Sequence, residues 1–195
     1  MKSSSSFFCY IFATIFILQI TSSFPKNTDT QYIKTSCNST NYPKLCYHSL
    51  SIYASTIKTS PKLLADAALN VTLKATSSTS RLMKRISRRH GLSHRVSAAV
   101  ADCVEVVGDS VFELQRSIGE MGHAKDPNFY QVMDNVQTWV SAALTDDDTC
   151  VDGFAGDSMK WGKVKSVIRK HIVKISHYTS NALALLNVYV SSHES

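Results

Sequence analysis

Cysteine spacing constrains the fold of this 195-residue chain more than any other feature. Four cysteines form a tight pair and a wide pair: Cys37, Cys46, Cys103 and Cys150. A fifth, Cys9, lies in an apolar run over residues 7–20 that follows Lys2 and precedes small residues, so residues 1–23 are predicted to be a secretory signal that is removed. Export to an oxidising compartment predicts two disulfides among the other four. The simplest pairing joins neighbours, although sequence alone allows three pairings.

Composition is typical of one exported domain. Removal of residues 1–23 leaves 172 residues, enough for a single core, and lowers the formal charge from +6 to about +5. A modest positive charge favours weak attraction to polyanions but does not indicate a nucleic-acid-binding protein. The apolar run is too short to span a bilayer comfortably, so no membrane anchor is predicted after cleavage.

Seven glycines and four prolines are few for this length, and they separate four stretches with helical periodicity. These cover residues 60–91, 93–122, 126 to about 144, and 157–189. Ser60-Pro61 and Asp126-Pro127 supply a cap followed by proline, and Gly91 supplies a left-handed stop. The stretches predict an all-α, up-and-down four-helix bundle over residues 60–195. Residues 24–59 are predicted to form an N-terminal helical hairpin held by the tight cysteine pair.

An apolar stripe on each stretch predicts the core. In the first helix the predicted core positions are Leu64, Ala68, Val71, Ala75, Ser78, Leu82 and Ile86; in the second they are Val96, Val100, Cys103, Val107, Ser110 and Leu114. Trp139 falls on the stripe of the third helix and is predicted to be buried. Asn181, in the fourth, is predicted to bond a buried partner.

Each of two charged clusters can be interpreted as an ordinary surface feature or as a binding site. The strongest basic cluster is Arg81, Lys84, Arg85, Arg88, Arg89 and His90. Such runs are usually solvated helix faces, and the alternative is weak contact with a polyanion in the same compartment. Asp146, Asp147 and Asp148 are predicted to cap a short turn leading into Cys150 rather than to bind calcium with Asp152, because the ligand spacing of a calcium loop is absent. Zinc is disfavoured by the cysteine spacing.

Catalytic and cofactor motifs are not found. The sequence contains no nucleophile elbow, no histidine pair at metal-binding spacing and no phosphate-binding glycine loop, so no enzyme, metal site or cofactor is predicted. Two N-glycosylation motifs begin at Asn38 and Asn70.

Four segments match the signatures of a known family. They are residues 35–46 (TSCNSTNYPKLC), 101–105 (ADCVE), 138–145 with 148–154 (TWVSAALT and DTCVDGF), and 180–185 (SNALAL). Together they resemble the plant invertase/pectin methylesterase inhibitor family, in its order and spacing, from about residue 30 to the end. The resemblance implies a four-helix bundle with an N-terminal hairpin, disulfides joining the first cysteine to the second and the third to the fourth, and a secreted inhibitor of a cell-wall enzyme.

Two activities share this family, inhibition of pectin methylesterase and inhibition of acid invertase. Invertase inhibitors commonly carry a Pro-Lys-Phe segment before the second signature, whereas residues 90–95 (HGLSHR) have neither the proline nor the aromatic. Pectin methylesterase in the apoplast or cell wall is therefore the favoured partner. De-esterified, anionic pectin is then the polyanion that the basic cluster at residues 81–90 could contact weakly. Acid invertase is the alternative, and an exported interaction protein without inhibitory activity is the third interpretation.

In the esterase-inhibiting branch, the resemblance implies a one-to-one complex that covers the pectin-binding cleft, with Ser97, Glu105 and Thr149 at the interface. A helical turn of 100° per residue places Ser97, Ala101, Glu105 and Asp109 on the solvent face of the second helix, opposite Cys103. The seven histidines, or interface carboxylates that protonate, suggest binding that strengthens as pH falls.

Overall fold

The computed structural model of the chain describes residues 24–154 and 162–193. Its elements are α1 (Phe24–Cys37), α2 (Pro43–Leu50), a 3₁₀ turn (Ser51–Tyr53), α3 (Ala54–Ile57), α4 (Pro61–Ser87), α5 (His94–Met121), α6 (Phe129–Gly153) and α7 (Gly162–Ser191). The predicted signal at 1–23 lies outside the described residues. No helix within the described ranges is both long and apolar enough to cross a bilayer.

The four long helices form a closed ring, and the all-α bundle prediction is confirmed. Helix α4 packs on α5, α5 on α6, α6 on α7, and α7 on α4. The links at residues 88–93 and 122–128 are short, so successive helices run in opposite directions. Helices α4 and α7 are neighbours in this ring, as are α5 and α6, and we refer to these two pairs as the two halves of the bundle.

The helix starts follow their capping residues. Ser60 Oγ accepts a hydrogen bond from Leu63 N at 3.3 Å, and Ser93 Oγ accepts one from Val96 N at 3.4 Å. Helix α4 ends at Ser87, before the predicted stop, although Gly91 does have a left-handed φ of 82°. Helix α6 begins at Phe129 and not at Pro127, because Asn128 uses its side chain to close the preceding turn on the amide of Lys125.

The predicted core of α5 is confirmed, but that of α4 is partly wrong. Ser78 is exposed and Val71 is only half-buried, whereas Thr72, Thr76 and Thr79 are buried. Each of these threonines donates its hydroxyl proton to the carbonyl four residues earlier, at 2.8–3.0 Å. A hydroxyl satisfied within its own helix carries little cost of burial, so the buried face turns toward the threonines.

The C-terminal half of α6 differs from its prediction. Cys150 and Asp146–Asp148 were expected after the helix, yet α6 continues to Gly153. Asp147 is accommodated within this helix because it points into the core, where hydroxyls from α5 and α7 donate to it. The three aspartates therefore point in different directions from one continuous helix, and the prediction that they cap a separate turn was wrong.

The cysteines pair as neighbours, Cys37 with Cys46 and Cys103 with Cys150, as expected. By the chain-entropy model the short loop is worth about 2.7 kcal/mol and the long one about 4 kcal/mol. The second bridge joins α5 to α6 with a Cα–Cα distance of 4.9 Å. No cluster of three metal-ligating side chains occurs in the part of the chain that the structure describes.

The N-terminal hairpin packs against both α4 and α7, and it forms hydrogen bonds with α7. Asn181 Oδ1 accepts from the amide of Tyr42 at 2.9 Å, and Asn181 Nδ2 donates to the carbonyl of Tyr42 at 3.0 Å. The ring of Tyr42 stacks on His177, with centroids 3.5 Å apart. The predicted buried partner of Asn181 is thus the peptide backbone of Tyr42.

Candidate inhibitory face

The residues predicted at the interface lie on the outer surface of α5 and α6. Ser97, Ala101, Glu105 and Asp109 are all exposed, which confirms the predicted solvent stripe of α5. At a rise of 1.5 Å per residue this stripe is about 18 Å long. Thr149 is exposed on α6, next to Cys150.

The Cys103–Cys150 bridge brings two of these positions to the same level of the bundle. Glu105 follows Cys103 by two residues and Thr149 precedes Cys150 by one, so both lie beside the point where α5 and α6 are covalently joined. The hydroxyl of Thr149 donates to the carbonyl of Thr145 at 2.7 Å, which leaves its oxygen free to accept from a partner. Ser97 lies about 12 Å away along α5, toward the helix N-terminus.

Beneath this face, one buried carboxyl group connects three helices. Asp147 is 0% exposed. Its Oδ1 accepts from Ser110 Oγ of α5 at 3.1 Å, and its Oδ2 accepts from Thr179 Oγ1 of α7 at 2.8 Å. Burial raises the pKa of Asp147 to about 7, and the two hydrogen bonds oppose that rise. The group holds α5 and α6 in fixed positions behind the exposed stripe.

A pair of carboxyl groups lies beside the exposed stripe of α5, and the sequence analysis did not predict it. Glu113 of α5 and Asp146 of α6 lie close enough to influence each other's pKa, and each has one buried oxygen without a hydrogen-bond partner. Burial first, and then the neighbouring charge of Asp146, raises the pKa of Glu113 to about 7. One proton shared between the two groups satisfies both buried oxygens. One sequence feature points to a perturbed carboxyl group here: Asp109 and Glu113 are like charges four residues apart on one helix.

An aromatic and cationic patch continues the stripe toward the C-terminal end of α5. The guanidinium carbon of Arg116 lies 4.2 Å from the ring centroid of Trp139 and 5.7 Å from that of Phe112. Phe112 is 57% exposed. Trp139 is half-buried, so the prediction that it lies in the core was wrong; Arg116 covers the ring on the surface instead.

Charge is divided between the two halves of the bundle. Helices α5 and α6 contain ten Asp and Glu and two Lys or Arg, whereas α4 and α7 contain ten Lys and Arg and one acid. The basic cluster identified in the sequence is exposed at the C-terminal end of α4, where its side chains line a shallow groove of about 300 Å³. The surface that carries Glu105 and Thr149 is thus part of an acidic half, and the basic half lies on the other side.

Similarity to known proteins gives the family. Residues 31–185 match the family model described as plant invertase/pectin methylesterase inhibitor. The chain is 50% identical over 176 residues to Pectinesterase inhibitor 10 of Arabidopsis thaliana, covering 89% of this chain and 55% of that protein. It is 46% identical over 197 residues to the 21 kDa protein of Daucus carota, with 100% of both chains covered. The chain therefore spans about half of the first relative and all of the second.

The fold has a counterpart among solved structures. The crystal structure of mutant form A of a pectin methylesterase inhibitor from Arabidopsis superposes with a TM-score of 0.63 at 21% identity, covering 80% of this chain and 95% of that one. Because Pectinesterase inhibitor 10 and the matched family are named for inhibition, the prediction that the chain is not an enzyme is also confirmed. The chain belongs to the plant invertase/pectin methylesterase inhibitor family.

Proposed function

We propose that this protein inhibits pectin methylesterase. The observation that carries the proposal is its 50% identity to a relative named as a pectinesterase inhibitor, supported by two more such relatives at 42%. Residues 90–95 support the same branch, because this turn presents exposed histidine, glycine and serine where an invertase inhibitor carries Pro-Lys-Phe.

Inhibition takes place through a one-to-one complex in which the acidic half covers the pectin-binding cleft. Glu105 and Thr149 form the centre of the contact, and Ser97 lies at one end. Arg116 and Trp139 lie at the other end, and these are residue types that often dominate binding energy at interfaces. Since the groups stand on helices joined by a disulfide, little conformational entropy is lost on docking.

The acidic half also indicates the charge of its target. Glu105 and Asp109 are exposed on α5, and both α5 and α6 carry an excess of acidic residues. A basic rim on the esterase cleft would complement this surface and accelerate association. As pH falls below about 7, Glu113 takes up a proton and this surface loses negative charge, so its attraction to a basic rim falls. The proposal that binding strengthens at low pH therefore rests on the histidines.

The protein acts in the cell wall after residues 1–23 are removed, and residues 24–195 function as one inhibitor domain. Two disulfides support export to an oxidising compartment. Asn38 and Asn70 are exposed and are proposed to carry N-linked glycans, whereas Thr40 and Thr72 of the same motifs are buried, so glycosylation must precede folding. A fall in intact mass after glycosidase treatment of the exported protein tests both sites.

The decisive experiment is incubation of the oxidised protein with a plant pectin methylesterase and, separately, with an acid invertase. We expect inhibition of the esterase only. Inhibition of the invertase only would move the protein to the other branch, and inhibition of neither would leave an interaction protein.

Two matched variants test the face. Thr149→Tyr and Ser78→Tyr place the same ring at exposed hydroxyl positions on opposite halves. We expect Thr149→Tyr to weaken inhibition at least about tenfold and Ser78→Tyr to leave it unchanged, while Glu105→Ala costs about 1–2 kcal/mol of binding. Equal effects of the two tyrosines would show that the esterase binds elsewhere.

A further inference from the structure

The basic half contains a groove that lies outside the proposed inhibitory face. It runs between the N-terminal hairpin and α7, has a volume of about 580 Å³, and is lined chiefly by Leu45, Arg169, Lys170, Val173, Lys174 and His177. The lining from residue 166 to residue 177 extends about 17 Å along α7. The groove combines a row of cations with an apolar floor of Leu45 and Val173.

The cations of this groove have little local neutralisation. Helix α7 contains no Asp or Glu between Gly162 and Ser191. Arg169, Lys170 and Lys174 are exposed, and no ion pair within the described ranges involves them. One carboxylate, Asp148 of α6, reaches this side of α7, where it accepts from Ser176 Oγ at 2.8 Å and interacts with His177. One carboxylate cannot neutralise three cations, so the groove is a site of positive potential.

Beside the cations lies an aromatic surface. A second hollow of about 430 Å³, lined by residues 41–45 and His177, shares Leu45 and His177 with the groove. There the stacked rings of Tyr42 and His177 form an apolar, planar surface next to Lys44. Cations beside flat apolar surfaces suit a polymer of sugar rings that carries a carboxylate on each ring.

We propose that this groove binds de-esterified pectin, the polyuronate that remains after pectin methylesterase has acted; the identity of this ligand rests on the proposed function. Hydrolysis of each methyl ester releases methanol and leaves a carboxylate, so the polymer acquires charges for Arg169 and Lys170 only where the esterase has worked. Binding on the basic half leaves Glu105 and Thr149 exposed on the other side. The protein is thereby retained on wall regions that its target enzyme has already modified.

The test measures binding to polygalacturonate without any esterase present. The protein is applied to immobilised polygalacturonate, to the same polymer fully methyl-esterified, and to heparin. The variant Arg169→Ala/Lys170→Ala removes two exposed charges from the groove. Lys34→Ala/Lys125→Ala removes two exposed charges elsewhere, and Arg81→Ala/Arg85→Ala removes two from the α4 cluster.

We expect the unaltered protein to bind polygalacturonate in preference to the esterified polymer and to heparin, with binding that weakens as salt rises. The groove variant should lose about tenfold in affinity, as two charge-assisted contacts at exposed positions imply, and the Lys34/Lys125 control less than about twofold. Equal losses in groove variant and control, a loss only in the α4 variant, or equal binding to heparin would each overturn the proposal.

Failure of this inference is distinguishable from failure of the proposed function. Esterase inhibition by the same preparations is measured on a soluble substrate. If the protein inhibits the esterase but does not bind immobilised polygalacturonate, the groove proposal alone is refuted. If the protein binds polygalacturonate through Arg169 and Lys170 but does not inhibit the esterase, the groove proposal is supported and the inhibitory function is refuted.

Discussion

Replacing Asp147 by asparagine is expected to abolish a fall in the free energy of unfolding that the protein undergoes as pH rises from about 4 to about 7. An amide keeps one oxygen that accepts from Ser110. Thr179 can turn its hydroxyl proton to the carbonyl of Ile175, 3.0 Å away, and accept the new N–H. The substitution therefore gives both the oxygen and the nitrogen of the amide a partner while it abolishes ionisation.

The magnitude follows from the position of the group. Burial raises the pKa of Asp147 from 3.8 to about 7. Because the folded state holds this proton more tightly than the unfolded chain does, the stabilisation is complete below pH 4 and is lost as pH rises through about 7. At about 1.4 kcal/mol per pH unit, the free energy of unfolding falls by about 4 kcal/mol from this group alone.

Urea unfolding of the oxidised protein at about pH 4, 6 and 8 measures the effect. We expect Asp147→Asn and the unaltered protein to agree within about 1 kcal/mol at the lowest pH and to diverge by up to about 4 kcal/mol at the highest, with the variant more stable. Asp152→Asn, an exposed position on the last turn of α6, should follow the unaltered protein throughout. A constant difference between Asp147→Asn and the unaltered protein at every pH would refute the reasoning.

Three further predictions concern neighbouring features. Glu113→Gln should reduce the same pH dependence in the same titration, but by less, because Glu113 is partly solvated. Asn181→Ala should cost about 2 kcal/mol and speed amide exchange in residues 41–46, whereas Asn187→Ala, which breaks an exposed bond to Gln137, should not change that exchange. Loss of the wide disulfide through paired serines should cost about 4 kcal/mol, and loss of the narrow one about 2.7 kcal/mol, by urea unfolding.

Local features were readable from the sequence because they depend on near neighbours. Ser60 and Ser93 cap their helices through amides three residues away, and the stripe of α5 follows from its own periodicity. The cysteine pairing needed only the assumption that neighbours join. These predictions hold because no distant residue competes with them.

The predictions that failed depend on partners from other helices. Asp147 is tolerated within α6 only because Ser110 and Thr179 meet it, and no local pattern shows that meeting. Trp139 lies at the surface because Arg116 of α5 covers its ring. The sequence shows which helices are acidic and which are basic. That these helices form an acidic and a basic surface follows only from their order around the ring.

The outermost charges of the two halves act independently because the bundle is thick compared with the screening length, although Asp148 of α6 reaches His177 where α6 and α7 meet. Two layers of helices, each about 10 Å across with side chains, separate the outer faces by about 20 Å. The Debye length is about 8 Å at physiological ionic strength, so Arg169 and Glu105 hardly interact there. Neither charge therefore weakens the potential that the other presents to a ligand. At an ionic strength near 0.01 M the Debye length reaches about 30 Å and the faces interact through the field. Coupling between polygalacturonate and esterase binding that appears only at low salt would then report electrostatics, since a conformational change would persist at every salt concentration.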